Sequence, residues 1–184
     1  MSFAIPHSIH EKAVKYAAAV TAAAKKERIS DELIFAIMET ESSFNPMARS
    51  HIPAYGLMQI VPHTAGKDAT KYLYGKARIL APSYLYNPDN NIAIGAAYLH
   101  VLHYKYMRRV KNKTSRMYCA IAAYNTGASN VARAFIDQAS FNMATAEINK
   151  LSPHEVYAKL KNFLPLKETQ VYIEKVSMRM EKYL

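Results

Sequence analysis

The chain has no tryptophan, one cysteine and five glycines in 184 residues. A single thiol, Cys119, excludes an intrachain disulfide and a cysteine metal cluster, and it leaves the redox compartment open. No apolar run approaches the ~20 residues that cross a bilayer as a helix. The first residues carry neither a charged-then-apolar leader nor a cysteine that could take a lipid. Membrane association is therefore expected only through a segment absent from this chain. Internal repeats, low-complexity tracts and strong strand alternation are also missing. Acidic residues are scarce, 14 against 24 lysines and arginines, for a net charge of +10. That imbalance favours a polyanionic partner: nucleic acid, an anionic membrane surface or a cell-wall polymer. No nucleic-acid-binding motif accompanies the charge, so no nucleic acid is expected.

Metal and phosphate chemistry find little support. His7, His10 and Glu11 form H-x-x-H-E, which is not zinc-protease spacing. His100 and His103 sit one turn apart without further ligands and read as surface or packing residues. Gly66-Lys67 lacks the earlier glycine and the following Ser or Thr of a phosphate loop. No metal and no cofactor are expected.

What is present is helical periodicity. Half of the residues, 51%, are hydrophobic, enough for one domain over 1–184 with a substantial core. Seven or eight helices are predicted: Ser8 to Arg28; Ser30 as cap through Glu41; Thr64 to Tyr74; Asn90 to Arg109; Thr114 as cap through Tyr124; Asn130 to Asp137; Ser152-Pro153 to before Pro165; and Glu168 to Leu184. Residues 42–63 read as loop, with room for a short β-hairpin near 52–61. The 14 tyrosines suit sugars and bases alike.

One stretch carries candidate chemistry. Ile34, Ile37, Met38 and Glu41 share one face of a helix, because residues three and four apart stack on one side. Glu41 ends that apolar stripe; Glu39 and Thr40 point elsewhere. Apolar surroundings and the negative end of the helix dipole both disfavour the charged carboxylate. A carboxyl kept protonated in this way can serve as a general acid, as a glutamate of lysozyme does in its hydrophobic pocket. A helix-terminal glutamate that is simply solvated fits this stretch as well.

Three separated stretches then resemble one family. Glu41-Ser42-Ser43-Phe44-Asn45-Pro46 with Ser50, Gly56-Leu57-Met58-Gln59 and Pro62-His63-Thr64-Ala65 is similar to the first signature of the peptidoglycan lytic transglycosylases. Ala122-Ala123-Tyr124-Asn125-Thr126-Gly127 resembles their A-Y-N-x-G segment, and Pro165, Glu168-Thr169 and Tyr172 resemble their P-x-x-E-T-x-x-Y segment. Two positions depart from the pattern: Thr126 stands where a small residue is usual, and Asn162 precedes the last segment where soluble-type members carry an acid. The resemblance implies a mainly α, lysozyme-like (goose-type) domain with a substrate cleft. It implies Glu41 as the single catalytic acid and base, with Ser50, Gly56, Met58, Gln59, Tyr124, Asn125 and Tyr172 binding substrate. It further implies peptidoglycan strands as partner, in the periplasm, with an outer-membrane anchor in a longer precursor. A goose-type hydrolase and a catalytically inert wall-binding module remain as alternatives. Glu39 cannot supply a second carboxylate beside Glu41, since two positions turn it to nearly the opposite side of the helix; Asp68, Asp89 and Asp137 could do so only if folding brought them close.

Overall fold

A computed structural model describes residues 7–184, with side chains from residue 11 onward; the side chains of His7 and His10 lie outside the described residues. Among the described residues ten α-helices follow one another: α1 (His7–Glu27), α2 (Asp31–Ser42), α3 (Lys67–Tyr74), α4 (Pro82–Leu85), α5 (Pro88–His100), α6 (Lys113–Thr126), α7 (Ala128–Arg133), α8 (Phe141–Ile148), α9 (Pro153–Phe163) and α10 (Lys167–Met180). Single wide turns of π type occupy Pro62–Gly66 and Val101–Tyr106, and a 3-10 turn follows α10 at Glu181–Tyr183. The described residues group into two compact units. One runs to Val101 and includes Met178–Leu184; the other is Leu102–Ser177.

In the first unit α5 is the central element. From Asn91 to His100 every residue but Ala93 is buried, the pattern of a helix covered on all sides. α1, α2, α3 and α4 all pack on it. α1 offers a small-residue face, with Ala13, Tyr16, Val20, Ala23 and Ala24 buried, which lets the two helix backbones approach. At its end Glu27 is buried, and its carbonyl lies 2.8 Å from His100 Nδ1. The His100 ring stacks on Tyr72 at 4.5 Å, so His100 packs, as its spacing suggested. In the second unit α6 plays the central part. It packs on α7 and α9, and α7 packs on α8. Cys119 is fully buried there, and burial pushes its thiol pKa up, which keeps it protonated and unreactive.

The predicted helices exist, with shifted ends and two additions. Ser30 caps α2 by accepting from the Leu33 N–H. Asn87 caps α5, and Ser152 and Glu155 form a complete capping box on α9. The cap of α6 is Asn112, not Thr114; its side chain accepts from the Ser115 N–H. α5 ends at His100, short of Arg109, because the chain widens into the turn Val101–Tyr106. The segment expected over Asn130 to Asp137 is the shorter α7, begun at Ala128 after Gly127. Periodicity does not reveal α4 and α8; α8 begins behind the polar cap Ser140 and buries only Phe141, Ala144, Thr145 and Ile148. The expected hairpin near 52–61 reduces to two isolated antiparallel bridges, Arg49 with Tyr55 and Tyr55 with Ile60. Gly56 and Gln59, both at positive φ, turn the chain back after one pair.

Candidate active site

The helix that carries Glu41 is built to end abruptly. Ile34, Ile37 and Met38 are fully buried, each worth roughly 1.5–3 kcal/mol of burial. Glu41 continues their stripe and is partly exposed. α2 stops at Ser42, one residue past the end expected at Glu41, because Ser43 and Phe44 take left-handed backbone with φ of 49° and 63°. Two successive non-glycine residues there cost on the order of 1–3 kcal/mol each. Burial of the Phe44 ring, 4% exposed, offsets that strain. The Ser43 N–H caps the helix on the Glu39 carbonyl at 3.1 Å.

The Gly56-Leu57-Met58-Gln59 turn is fastened to this helix end. Ser42 Oγ lies 2.7 Å from the Leu57 carbonyl and 3.1 Å from the Met38 carbonyl. Asn91, fully buried on α5, holds the turn from below. Its Oδ1 accepts from the Met58 N–H at 2.8 Å, and its Nδ2 donates to the Tyr55 and Leu85 carbonyls, each at 2.8 Å. Gly56 is required twice over. Its φ is +78°, and a Cβ there would meet Asn91 Nδ2 at 2.3 Å and the Leu85 carbonyl at 2.5 Å. The Met58 side chain is fully buried over Gly95, where a Cβ would meet its sulfur at 2.2 Å. Gln59, at φ 50°, donates its amide to the Ala48 and Gly56 carbonyls. Ser50 is exposed and donates its hydroxyl to the Ile52 carbonyl. With Arg49 and His51 it lines an open pocket of about 410 Å³, and the Arg49 guanidinium sits 5.7 Å over the Tyr55 ring.

The first unit thus ties the helix end that bears Glu41 and Ser42 to the Gly56–Gln59 turn, with Ser50 on the adjoining loop. Glu39 does point elsewhere, and it is buried, 4% exposed, against Arg179, Lys182 and Tyr183. Asp68 lies in the first turn of α3 and Asp89 in that of α5. Sequence reasoning does not single out Asn91 and Gly95. The available signal is a polar residue and a glycine on the apolar face of a helix that also carries Ile94 and Tyr98.

The second unit joins the other two motif segments. Tyr124 and Asn125 end α6, and Gly127 closes it at φ 84°. Asn125 Oδ1 accepts from the hydroxyl of Thr169, fully buried on α10, at 2.8 Å. Tyr172, one turn further along α10, is buried at 6% exposure. The unusual Thr126 has local work: its hydroxyl accepts from Asn130 Nδ2 at 2.8 Å, which steadies the start of α7. Asn162 donates to the Ala158 carbonyl at 2.9 Å within α9. Among the described residues, no group of three or more His, Cys, Asp or Glu could hold a metal ion.

The chain is similar to known proteins in sequence and in fold. The family model for the transglycosylase SLT domain matches residues 18–146. Membrane-bound lytic murein transglycosylase C of Cronobacter sakazakii is 43% identical over 97% of this chain. The Yersinia pestis protein of the same name is 42% identical over the same share. The chain spans about half the length, 49%, of these relatives. Among solved structures, an inactive mutant of lytic transglycosylase Slt from Pseudomonas aeruginosa superposes with a TM-score of 0.62 at 30% identity, over 89% of this chain and 23% of that one. The 70 kDa soluble lytic transglycosylase of Escherichia coli gives 0.68 at 25% identity, over 91% and 24%. The helical, lysozyme-like fold is thereby shared, and the chain belongs to the transglycosylase SLT domain family.

Proposed function

We propose that this chain is one lytic transglycosylase domain over 1–184 and cleaves the β-1,4 bond between N-acetylmuramic acid and N-acetylglucosamine in peptidoglycan, without consuming water. The observation that carries this reading is Glu41: a partly exposed carboxyl at the end of an apolar helix, with the Gly56–Gln59 turn bonded to the next residue, inside a chain of the SLT family.

The chemistry needs one carboxyl. Glu41 protonates the glycosidic oxygen as the bond to the muramoyl carbon breaks. The substrate's own N-acetyl group stabilises the oxocarbenium-like centre. Glu41, now a carboxylate, removes the proton from the muramoyl 6-hydroxyl, and that oxygen closes a 1,6-anhydro ring. Ordinary glycoside hydrolysis would instead deliver a water, usually with a second carboxylate's help. Ser50 and Gln59 supply hydrogen bonds to sugar on the first unit. Gly56 and Met58 serve by shaping the turn, since both are buried. On the second unit Tyr124, Asn125 and Tyr172 are taken as sugar-binding on the likeness of their segments to the family's. The net charge of +10 suits a wall rich in carboxylates. The relatives' description as membrane-bound and acting on murein supports a cell-envelope location, which we place in the periplasm at the outer membrane. Among the described residues no helix is long and apolar enough to cross a membrane.

Mass spectrometry of digested sacculi tests the reading. Fragments ending in 1,6-anhydromuramic acid, each lighter than a reducing end by one water, are expected. Predominantly reducing ends would turn the assignment to a goose-type hydrolase. Glu41→Gln keeps the size of the side chain but can neither give nor take the proton. Turbidity clearing should fall about a hundredfold or more with the helical circular dichroism intact; binding without cleavage by the unaltered chain would instead favour a wall-binding module.

A further inference from the structure

One buried carboxylate of the first unit has no part in that mechanism. Glu39, two residues before Glu41, is 4% exposed. Its Oε1 faces Arg179 Nε at 3.4 Å and Lys182 Nζ at 3.2 Å, and its Oε2 accepts from the Tyr183 hydroxyl at 2.7 Å. The neighbouring Thr40 hydroxyl accepts from Arg179 Nη1 at 3.0 Å and donates to the Ala36 carbonyl at 2.7 Å. Phe35, one turn earlier, stacks on the Tyr183 ring at 5.1 Å. Arg179, Lys182 and Tyr183 all belong to the segment Met178–Leu184, which returns to the first unit. Burial and the adjacent Glu39 carboxylate push the Tyr183 pKa up, so the phenol stays protonated and keeps donating.

The backbone on either side of Glu41 is therefore held by different parts of the first unit. Residues 39 and 40 are gripped by Arg179, Lys182 and Tyr183. Residue 42 is gripped by the Leu57 carbonyl. The geometry points to Glu39 as a positioning residue: it clasps the turn after α10 to the end of α2 and so fixes where the Glu41 carboxyl stands relative to the Gly56–Gln59 turn. The inference rests on the reading of Glu41 as the proton donor and goes beyond it by assigning a role to Glu39 and to the Glu181–Tyr183 turn. Its physical basis is that a proton donor misplaced by about 1 Å can lose on the order of a hundredfold in rate, while substrate contacts made elsewhere are untouched.

The clasp holds two cations and one carboxylate, which makes its members unequal. Removing Lys182 leaves a neutral pair of Arg179 and Glu39. Removing the Glu39 charge leaves two partly buried cations facing each other, which costs more. Tyr183→Phe takes away one oxygen atom and keeps the stack on Phe35.

The test is steady-state kinetics on soluble, uncross-linked glycan strands, well below the melting temperature, with rates per folded enzyme. Glu39→Gln should lower kcat on the order of tenfold or more with KM within about twofold, because binding does not pass through Glu39. Tyr183→Phe should lower kcat by a smaller factor, Lys182→Met should change it least, and Glu39→Asp should recover part of the loss. The Glu39→Gln, Tyr183→Phe double variant should be no slower than Glu39→Gln alone, since both cut the same link. A lower melting temperature with unchanged kcat in Glu39→Gln and Tyr183→Phe would reduce the clasp to a structural feature and overturn the proposal. So would a loss expressed in KM alone. If Glu39→Gln does not fold, Tyr183→Phe decides by the same criteria. Failure of the underlying reading looks different: Glu41→Gln would then retain its rate whatever Glu39 does.

Discussion

Asn91 shows how much one buried amide can organise. It is fully buried on a helix otherwise lined with Ile92, Ile94 and Leu99, and it satisfies backbone groups of Tyr55, Met58 and Leu85 at once. A buried donor or acceptor left without a partner costs about 1–3 kcal/mol. Asn91→Leu orphans the Met58 N–H and withdraws a donor from two carbonyls; the Tyr55 carbonyl still receives the Ile60 N–H. The expected destabilisation is roughly 3 kcal/mol, seen as a melting temperature lower by about 6–12 °C for a chain of this size. Activity should fall further than stability explains, because the turn bonded to Ser42 loses its footing. A circular dichroism melt beside a turbidity assay checks both; an unchanged melt would mean that the amide bonds are replaceable. Legibility at this scale is uneven. Periodicity singles out Glu41, but nothing local singles out Asn91, because satisfying backbone groups of Met58 and Tyr55, 33 and 36 residues away, leaves no pattern in the neighbouring residues.

At the scale of the element, a helix start is legible where a capping residue marks it. Ser30, Asn87 and Ser152 cap as their residue types predict, since the polar side chain bonds a backbone N–H only three residues away. The capping box on α9 also makes a pH prediction. The Ser152 backbone N–H donates to the Glu155 carboxylate at 2.7 Å, and the hydroxyl side of the pair adds to the same effect. Together they hold the Glu155 pKa below its ordinary value. A depressed folded-state pKa contributes stability that is present above the unfolded value, about 4.3, and is lost as pH falls through the lower folded value. The melting-temperature gap between the wild type and Glu155→Ala should therefore be full at neutral pH and narrow in acid below about pH 4. A gap that widens in acid would contradict this. The end of α2 falls within one residue of Glu41, where the buried ring of Phe44 compensates a strained backbone, whereas the end expected at Arg109 fails because the chain widens into the turn Val101–Tyr106.

For the molecule as a whole, charge is the property most directly open to test. Exposed charges interact over roughly 10 Å at ~0.1 M salt. Binding of the Glu41→Gln chain, in which cleavage is expected to be lost, to purified sacculi should therefore weaken steadily as salt rises from about 0.05 to 0.5 M. A sedimentation assay measures it, and salt-independent binding would mean that the +10 charge serves another purpose. The mainly helical class is readable from periodicity at every long helix. The two compact units are not, because the grouping depends on which helices pack, and amphipathic faces do not name their partners.

The sequence by itself determined the helical class, the principal caps and the chain's place among the transglycosylase SLT domains, and it nominated Glu41 for the proposed proton transfer, because each rests on local spacing or on motif residues that keep their order. Only the tertiary structure decided that Glu39 is buried rather than solvated, that Asn91 and Gly95 underpin the Gly56–Gln59 turn, and that the turn's expected hairpin is two single bridges. The reason is separation along the chain. Glu39 meets Tyr183 across 144 residues and Asn91 meets Tyr55 across 36, and bonds over such separations form only when packing has already brought their elements together.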